Sequence, residues 1–475
     1  MTASPLARVG TAARGRPVPA DTGMTLEALE PHGPNWDVRR VRFLPYGWPL
    51  TALFCGLGLW WAMGLSGLIV HLLALPMLWH LICRGRVRLP PGFALWALFL
   101  AWTLISLVML GYNPPGTLQE GSINGRLLAV AFRMSTYLAA TIALLYVGNL
   151  DPARYPTRKL VRVMGVGFAW VVAGGFLGML RPRLEFVSPV ERLLPESIRD
   201  NLFVQSLVHP SAAQLQELLG YETPRPAAPF GYTNMWGHVF ALLLPWFFVG
   251  FVLMARGWKR WAAALLLLAA VVPMVYSLNR GLWVGLGLVA AYTVGRMIAQ
   301  GRLWVGGIAA AAVAVGLTAL MFSPLQTLVS GRLDNGASND VRAYSISKAI
   351  EISKLSPIIG YGNTRTAVGS PQSLTIGKSP ECPKCGNVPL GINGQLWLEI
   401  VAHGFVGAAL YITTFLYIGL RYWRDRGAVA VIGVLTALIM LWFMFIYGSL
   451  PWPITIAFIG WAVLWRDELH RREPA

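Results

Sequence analysis

The chain has 475 residues, of which 55% are hydrophobic and only 13% are charged, and its formal net charge is +18. Soluble domains carry about a quarter charged residues, so this composition excludes a soluble globular protein and indicates a polytopic membrane protein. In a soluble protein a net charge of +18 would suggest nucleic-acid binding. Here we attribute the charge to the enrichment of basic residues in cytoplasmic loops, and we predict no nucleic-acid partner.

The first 44 residues precede the apolar segments and are rich in Ala, Pro, Gly and Arg. The charged stretch is long, and no short apolar region with a cleavage site follows it, unlike in a cleavable signal peptide. We predict a disordered cytoplasmic tail over 1–44.

Apolar segments of bilayer-spanning length recur through residues 45–465. We predict an all-α membrane domain of about twelve spanning helices, with both termini and the short tail 466–475 in the cytoplasm. The predicted spans are 46–64, 66–83, 92–110, 127–147, 161–180, 233–254, 261–277, 281–299, 303–322, 394–419, 428–447 and 449–465.

The positions of the basic residues support this topology. Every segment on the predicted cytoplasmic side is basic, and together these segments hold most of the 39 Lys and Arg residues. A missing or additional span would invert the pattern downstream of it. Two outer loops, 181–232 and 323–393, are long for helix connections and are therefore candidates for function. We predict short amphipathic helices in them, at Glu191–Phe203, Ser211–Leu219 and Ser338–Leu355.

Arginines near the outer surface suggest an anionic ligand. Arginine at the edge of the hydrocarbon usually faces the protein interior and has an anionic partner. Glu399 is the only clear acidic residue in the spans, so a phosphate-bearing ligand would neutralise the excess positive charge. The candidate arginines are Arg133, Arg225, Arg280 and Arg342. By contrast, we interpret Arg126, Arg181 and Arg183 as residues that flank helix ends and reach lipid headgroups.

Four segments in order resemble motifs of the O-antigen ligase and O-antigen polymerase superfamily. They are PRPAAPFGYTNMWGHVFALLLP, YSLNRGLWVGLGL, VRAYSISKAIEISKLSPIIGYGNT and GINGQLWLEIVAHGFVGAALY, within about 220–415. The resemblance implies a bundle with a large periplasmic loop in the bacterial cytoplasmic (inner) membrane. It also implies metal-independent transfer of a glycan from an undecaprenyl-pyrophosphate carrier to a hydroxyl of a glycan or glycolipid acceptor, without a cofactor.

The resemblance also assigns roles to individual residues. Arg225 and Arg280 would correspond to the family's pyrophosphate-binding arginines, and Arg342 to the arginine of its loop helix. Asn234 and Asn393 are further candidates for substrate binding.

One position departs from the family pattern. The family usually has His-Asn ahead of the span that begins near Gly394, and its His is the proposed base, whereas this chain has Ile392 followed by Asn393. The candidates for a replacement base are Glu399, His403, His238 and Asp340.

Cys382 and Cys385 form a CxxC in the second outer loop. In an oxidising compartment we predict a disulfide, since no further zinc ligand is close in sequence and no thioredoxin-like pattern surrounds the pair. The outer loops contain no Asp-x-Asp pair, so we predict no metal site.

Two other functions remain open. One is a twelve-span transporter or flippase of a lipid-linked or anionic substrate. The other is a glycosyltransferase that uses a polyprenyl-monophosphate sugar. The sequence does not separate a ligase from a polymerase, because both use the same donor and chemistry.

Overall fold

A computed structural model describes residues 44–119, 123–217, 222–321, 326, 337–368, 387–425 and 427–472. The predicted N-terminal tail therefore lies almost wholly outside the described residues, as do Cys382 and Cys385 with their predicted disulfide.

The first half of the chain contributes helices α1 to α6, which coincide with the first five predicted spans. The break between α1 and α2 falls at Gly56, and a 3₁₀ turn over Ser106–Met109 extends α4. The helices are α1 Trp48–Cys55, α2 Leu57–Met63, α3 Ile69–Arg84, α4 Phe93–Ile105, α5 Ile123–Asn149 and α6 Thr157–Leu180.

The first of the two predicted outer loops forms short helices and an antiparallel pair of strands. The predicted helix at Glu191–Phe203 is confirmed, but as separate pieces interrupted at Pro195 and Asn201. The predicted helix at Ser211–Leu219 is wrong. That region forms a strand whose partner contains two prolines, which cannot continue a helix. The elements are α7 Pro189–Leu193, α8 Glu196–Arg199, α9 Leu202–Val208, β1 Ala213–Glu217 and β2 Glu222–Pro226, with β1 and β2 antiparallel.

The second half of the chain contains the remaining long helices. The predicted loop helix at Ser338–Leu355 is confirmed as α14, and α17 continues past the predicted span end into the predicted cytoplasmic tail. The elements are α10 Thr233–Phe247, α11 Trp258–Tyr276, α12 Arg280–Ala299, α13 Trp304–Met321, α14 Ala337–Ser353, β3 Thr366–Ala367, β4 Val388–Pro389, α15 Gln395–Tyr422, α16 Ala428–Phe443 and α17 Trp452–Arg472.

Six helical segments of the described chain are long and apolar enough to cross a membrane. They begin at Gly125, Thr157, Thr233, Trp258, Arg280 and Gln395. This confirms the class of the fold, an all-α multi-pass membrane protein. The number of crossings and the side on which each loop lies remain predictions.

Helix α17 lies at the centre of the core. Every residue from Trp452 to Arg466 is buried, and the helix packs against α5, α10 and α16. A helix that is apolar on all sides is expected in such a position. In contrast, α11 and α12 bury few residues, so most of their apolar surface faces outward, where lipid would cover it.

Candidate functional site

The polar centre of the described bundle lies on one face of α15. Gln395, Glu399 and His403 recur at intervals of four residues, which places their side chains one above another along the helix. All three side chains are buried, with exposed fractions of 1%, 0% and 2%. Polar groups at such depth need partners inside the protein or in a ligand.

Helix α15 is interrupted immediately after His403. Gly404 has a φ of 68° and a ψ of −176°, which is not helical. At a rise of 1.5 Å per residue, the break lies about 14 Å from the start of the helix. A break leaves backbone carbonyls and amides without their intrahelical partners.

The segment that follows α14 supplies these partners. The backbone N–H groups of Tyr361 and Gly362 donate to the carbonyl oxygens of Val401 and Ala402, at 3.0 and 2.7 Å. The backbone of the loop between α14 and α15 is therefore inserted into the broken helix.

Glycine is required on both sides of this contact. A Cβ atom on Gly404 would lie 2.4 Å from the carbonyl oxygen of Ile358, and one on Gly360 would lie 2.4 Å from the nitrogen of Gly404. Beyond the break, the N–H of Phe405 donates to the carbonyl oxygen of Pro357 at 2.8 Å. The Pro-Ile-Ile-Gly-Tyr-Gly sequence therefore serves close packing of two backbones.

Glu399 accepts two short hydrogen bonds on one carboxylate oxygen. The hydroxyl of Tyr137 donates to Oε1 at 2.5 Å, and Nε2 of Gln395 donates to the same atom at 2.6 Å. The backbone N–H of Ser449 in turn donates to Oε1 of Gln395 at 2.9 Å, which fixes the Gln395 side chain. Within the described part of the chain, Oε2 of Glu399 has no hydrogen-bond partner.

His403 lies between Glu399 and Ser106. Nε2 of His403 is 3.6 Å from Oε2 of Glu399, and its Nδ1 is 2.6 Å from Oγ of Ser106. The hydroxyl of Ser106 also lies 2.7 Å from the Thr103 carbonyl oxygen, so it can donate to that carbonyl while accepting from Nδ1–H. With that hydrogen-bond pattern, Nε2 of the neutral imidazole is unprotonated and directed at Glu399.

Arg133 provides a buried positive charge close to this pair. It is 9% exposed, and Nη2 donates to Oδ1 of Asn363 at 2.9 Å. It is near enough to Glu399 and His403 to interact with both electrostatically. Its Nη1 has no hydrogen-bond partner among the described residues. The guanidinium therefore retains a donor within the site.

Asn363 also lines a basic cleft of about 220 Å³, together with Arg126 and Arg365. Arg365 is buried and donates to several backbone carbonyls, including those of Tyr112 and Leu110. Burial, and then the charge of Arg126, lower the pKa of Arg365 to about 10. Arg365 thus still carries its charge near neutral pH, so an anion in the cleft would be attracted to it. Arg126, interpreted from the sequence as a helix-flanking residue, also contributes to this cleft.

Arg225 belongs to a second group of arginines, which also includes Arg280. It is 5% exposed on β2, its Nε donates to the carbonyl oxygen of Ser277 at 2.7 Å, and its Nη1 donates to Gln216 at 2.8 Å. These contacts hold it against the turn between α11 and α12, where the half-buried Arg280 begins α12. The structure therefore brings Arg225 to the Arg280 turn, and Arg133 to Glu399 and His403.

The connection between α16 and α17 contacts both the Arg280 turn and the start of α15. A Cβ on Gly281, next to Arg280, would meet Tyr447 and Ile446, and the N–H of Gln395 donates to the carbonyl oxygen of Tyr447 at 2.9 Å. This segment thus links the Arg280 turn to the start of the helix that carries Glu399 and His403.

The remaining candidate residues occupy other positions in the fold. His238 is buried in α10, with Nδ1 3.2 Å from the carbonyl oxygen of Gly448. Asn234, Asn393 and Arg342 are half-buried, in α10, ahead of α15 and in α14. Asp340 lies in α14, and its side chain is outside what the structure describes.

Sequence reasoning missed Ser106, Tyr137, Gln395 and Asn363. Gln395 had a detectable signal, because it extends the four-residue spacing of Glu399 and His403 in an apolar segment. Ser106 and Tyr137 had none, since both occur in ordinary apolar helices and meet α15 only in the folded chain.

The chain matches no family model, no curated protein and no solved structure. The resemblance to the O-antigen ligase and polymerase superfamily therefore stays an expectation from sequence motifs.

Proposed function

We propose that this protein transfers a glycan from an undecaprenyl-pyrophosphate carrier to an acceptor hydroxyl within the bacterial inner membrane. The observation that carries the proposal is the buried Glu399–His403 pair beside Arg133, whose Nη1 has no protein partner among the described residues. In this proposal the bundle crosses the membrane twelve times, and the Arg126–Arg365 cleft faces the periplasm.

In the reaction, the acceptor oxygen attacks the anomeric carbon and the bond between that carbon and the pyrophosphate oxygen breaks. The hydroxyl proton passes to Oε2 of Glu399 or Nε2 of His403, and the lipid pyrophosphate leaves with the bonding electron pair. A positioned base contributes about 10²–10⁴-fold to such a step.

Arginines stabilise the negative charge that develops on the leaving pyrophosphate, without a metal. Guanidinium groups in a site shielded from water act strongly on developing charge. Arg133 acts electrostatically on the acid–base pair, while Arg126 and Arg365 line the neighbouring cleft. Arg225 and Arg280 form the second arginine group of the donor site.

Replacing Arg133 by Gln should lower glycan transfer about 10²–10³-fold, because a charged donor to the pyrophosphate is lost. Gln can still donate to Asn363, so the fold should persist. The assay uses purified protein, undecaprenyl-pyrophosphate oligosaccharide and glycan or glycolipid acceptors, with and without EDTA.

The matched control for this experiment is Arg181→Gln, an exposed arginine at the end of α6. It should retain wild-type rates. Full activity of the Arg133 variant would show that this residue does not bind the pyrophosphate, and a wild-type protein that forms no product would reject glycan transfer.

A transporter or flippase is the second candidate, and a specific observation favours it. Broken membrane helices with ionisable side chains often bind substrates or coupling ions in transporters. Helix α15 has such a break, next to His403 and Glu399. Reconstituted wild-type protein that moves a lipid-linked glycan between leaflets, with no change in its chemical structure, would select this function.

A further inference from the structure

A second charged region lies at the opposite end of the bundle from Glu399. Helix α10 begins at Thr233, whose hydroxyl donates to the carbonyl oxygen of Arg225, and its continuation as a π-helix over Phe248–Leu253 ends close to the start of α6. There Arg158 donates from Nη2 to the carbonyl oxygen of Met254 at 3.1 Å. This bond ties α6 to the connection between α10 and α11.

Two clefts share the arginine pair formed by Arg158 and Arg162. One has a volume of about 380 Å³ and is closed by Arg256, Trp258 and Lys259. The other, of about 300 Å³, continues along α6 past Lys159 toward valines 163 and 166. Basic side chains thus surround a concave surface that is apolar on one side.

The charge of this region is uncompensated by the described protein. No acidic side chain lines either cleft, and Arg162, Arg256 and Lys259 make no ion pair with any described residue. Like charges at such separations repel one another, and a bound anion removes the repulsion. A phosphate group suits guanidinium donors in particular, because they can bind its oxygens in pairs.

The surroundings indicate that the anion belongs to a lipid. Trp258 and Trp261, at the start of α11, are 75% and 77% exposed. Exposed tryptophans are typical of the level where headgroups meet the hydrocarbon. A ligand with a phosphate and an acyl chain would place the phosphate between the basic residues and the chain against Val163 and Val166.

We infer that the clefts beside Arg158 and Arg162 bind the phosphate headgroup of an anionic phospholipid. The inference is independent of glycan transfer, because the site is at the other end of the bundle and shares no residue with Glu399, His403 or Arg133. Its function would be to hold α6 and the α10–α11 connection at the membrane surface.

The test measures binding of phosphatidylglycerol to the full-length detergent-solubilised protein by native mass spectrometry. Phosphatidylcholine serves as the zwitterionic reference, and inorganic phosphate as the soluble competitor. The test variant is Arg162→Gln with Lys259→Gln, since neither side chain makes a hydrogen bond to a described residue. The control is Arg86→Gln with Arg302→Gln, exposed arginines at the same end but outside the clefts.

We expect the test variant to bind phosphatidylglycerol about 25-fold more weakly, since each of the two basic residues near an anionic lipid contributes about fivefold. The control should bind as the wild type does, and phosphatidylcholine should bind weakly to all three proteins. Equal losses in the test and control variants would overturn the inference, because they would indicate general attraction to the surface. Displacement of the lipid by low millimolar phosphate would overturn it as well, in favour of a soluble anion.

Discussion

Replacing Glu399 by Gln should lower glycan transfer by about 10²–10⁴-fold while leaving the protein folded. The amide oxygen can still accept the hydrogen bonds from Tyr137 and Gln395, so the packing around it should persist. The amide nitrogen that replaces Oε2 cannot take up a proton, and it would donate to Nε2 of His403 instead. The measurement is the initial rate with purified protein, together with the melting temperature.

The matched control is Glu351→Gln on α14, where the carboxylate is 65% exposed and paired with Lys348. This variant should keep wild-type activity, because surface ion pairs contribute little. A variant with His403→Asn and Glu399→Gln combined should be no slower than the slower single variant, since residues that act as one unit are not additive. Additive losses, or an active Glu399→Gln enzyme, would contradict the acid–base role of the pair.

Replacing Gly404 by Ala should destabilise the protein by about 2–5 kcal/mol. The residue has a φ of 68°, and its Cβ would lie 2.4 Å from the carbonyl oxygen of Ile358. Relief of this clash would require the inserted loop to withdraw, which would remove the hydrogen bonds of Val401 and Ala402. The expected result is a lower melting temperature and loss of monodisperse protein.

Gly419→Ala tests the same helix without strain. A Cβ at this position meets nothing within 4 Å, and Ala favours the helix over Gly, so the free energy of unfolding should rise by about 0.5–1 kcal/mol. If the two alanine variants melt at the same temperature, the insertion of the loop into α15 does not stabilise the fold.

The features predicted correctly from the sequence are those that depend on the average hydropathy or helix propensity of a segment. Hydropathy over about twenty residues identified the long apolar helices, because burying apolar surface in lipid or in the core requires no particular partner. The loop helix α14 was predicted for a similar reason, since helical hydrogen bonds are local. The prediction failed at Ser211–Leu219, where β1 is stabilised by β2, a segment whose pairing was not visible in the local pattern.

The candidate site was only partly predictable. Glu399, His403 and Arg133 could be singled out because ionisable side chains are rare in apolar segments. The environment of these three residues could not be predicted, because hydrogen-bonded partners such as Tyr137 and Glu399 are 262 residues apart in the chain. The same is true of Asn363, which the inserted loop carries to Arg133 over 230 residues.

By itself the sequence determined the membrane class, the apolar helices and the rare ionisable groups that they contain. The tertiary structure alone decided that α15 breaks at Gly404, that a loop backbone fills the break, and that Ser106 orients His403. The physical reason is that hydropathy and helix formation follow from neighbours in sequence. Hydrogen-bond partners and close backbone contacts, in contrast, are set by how distant segments pack.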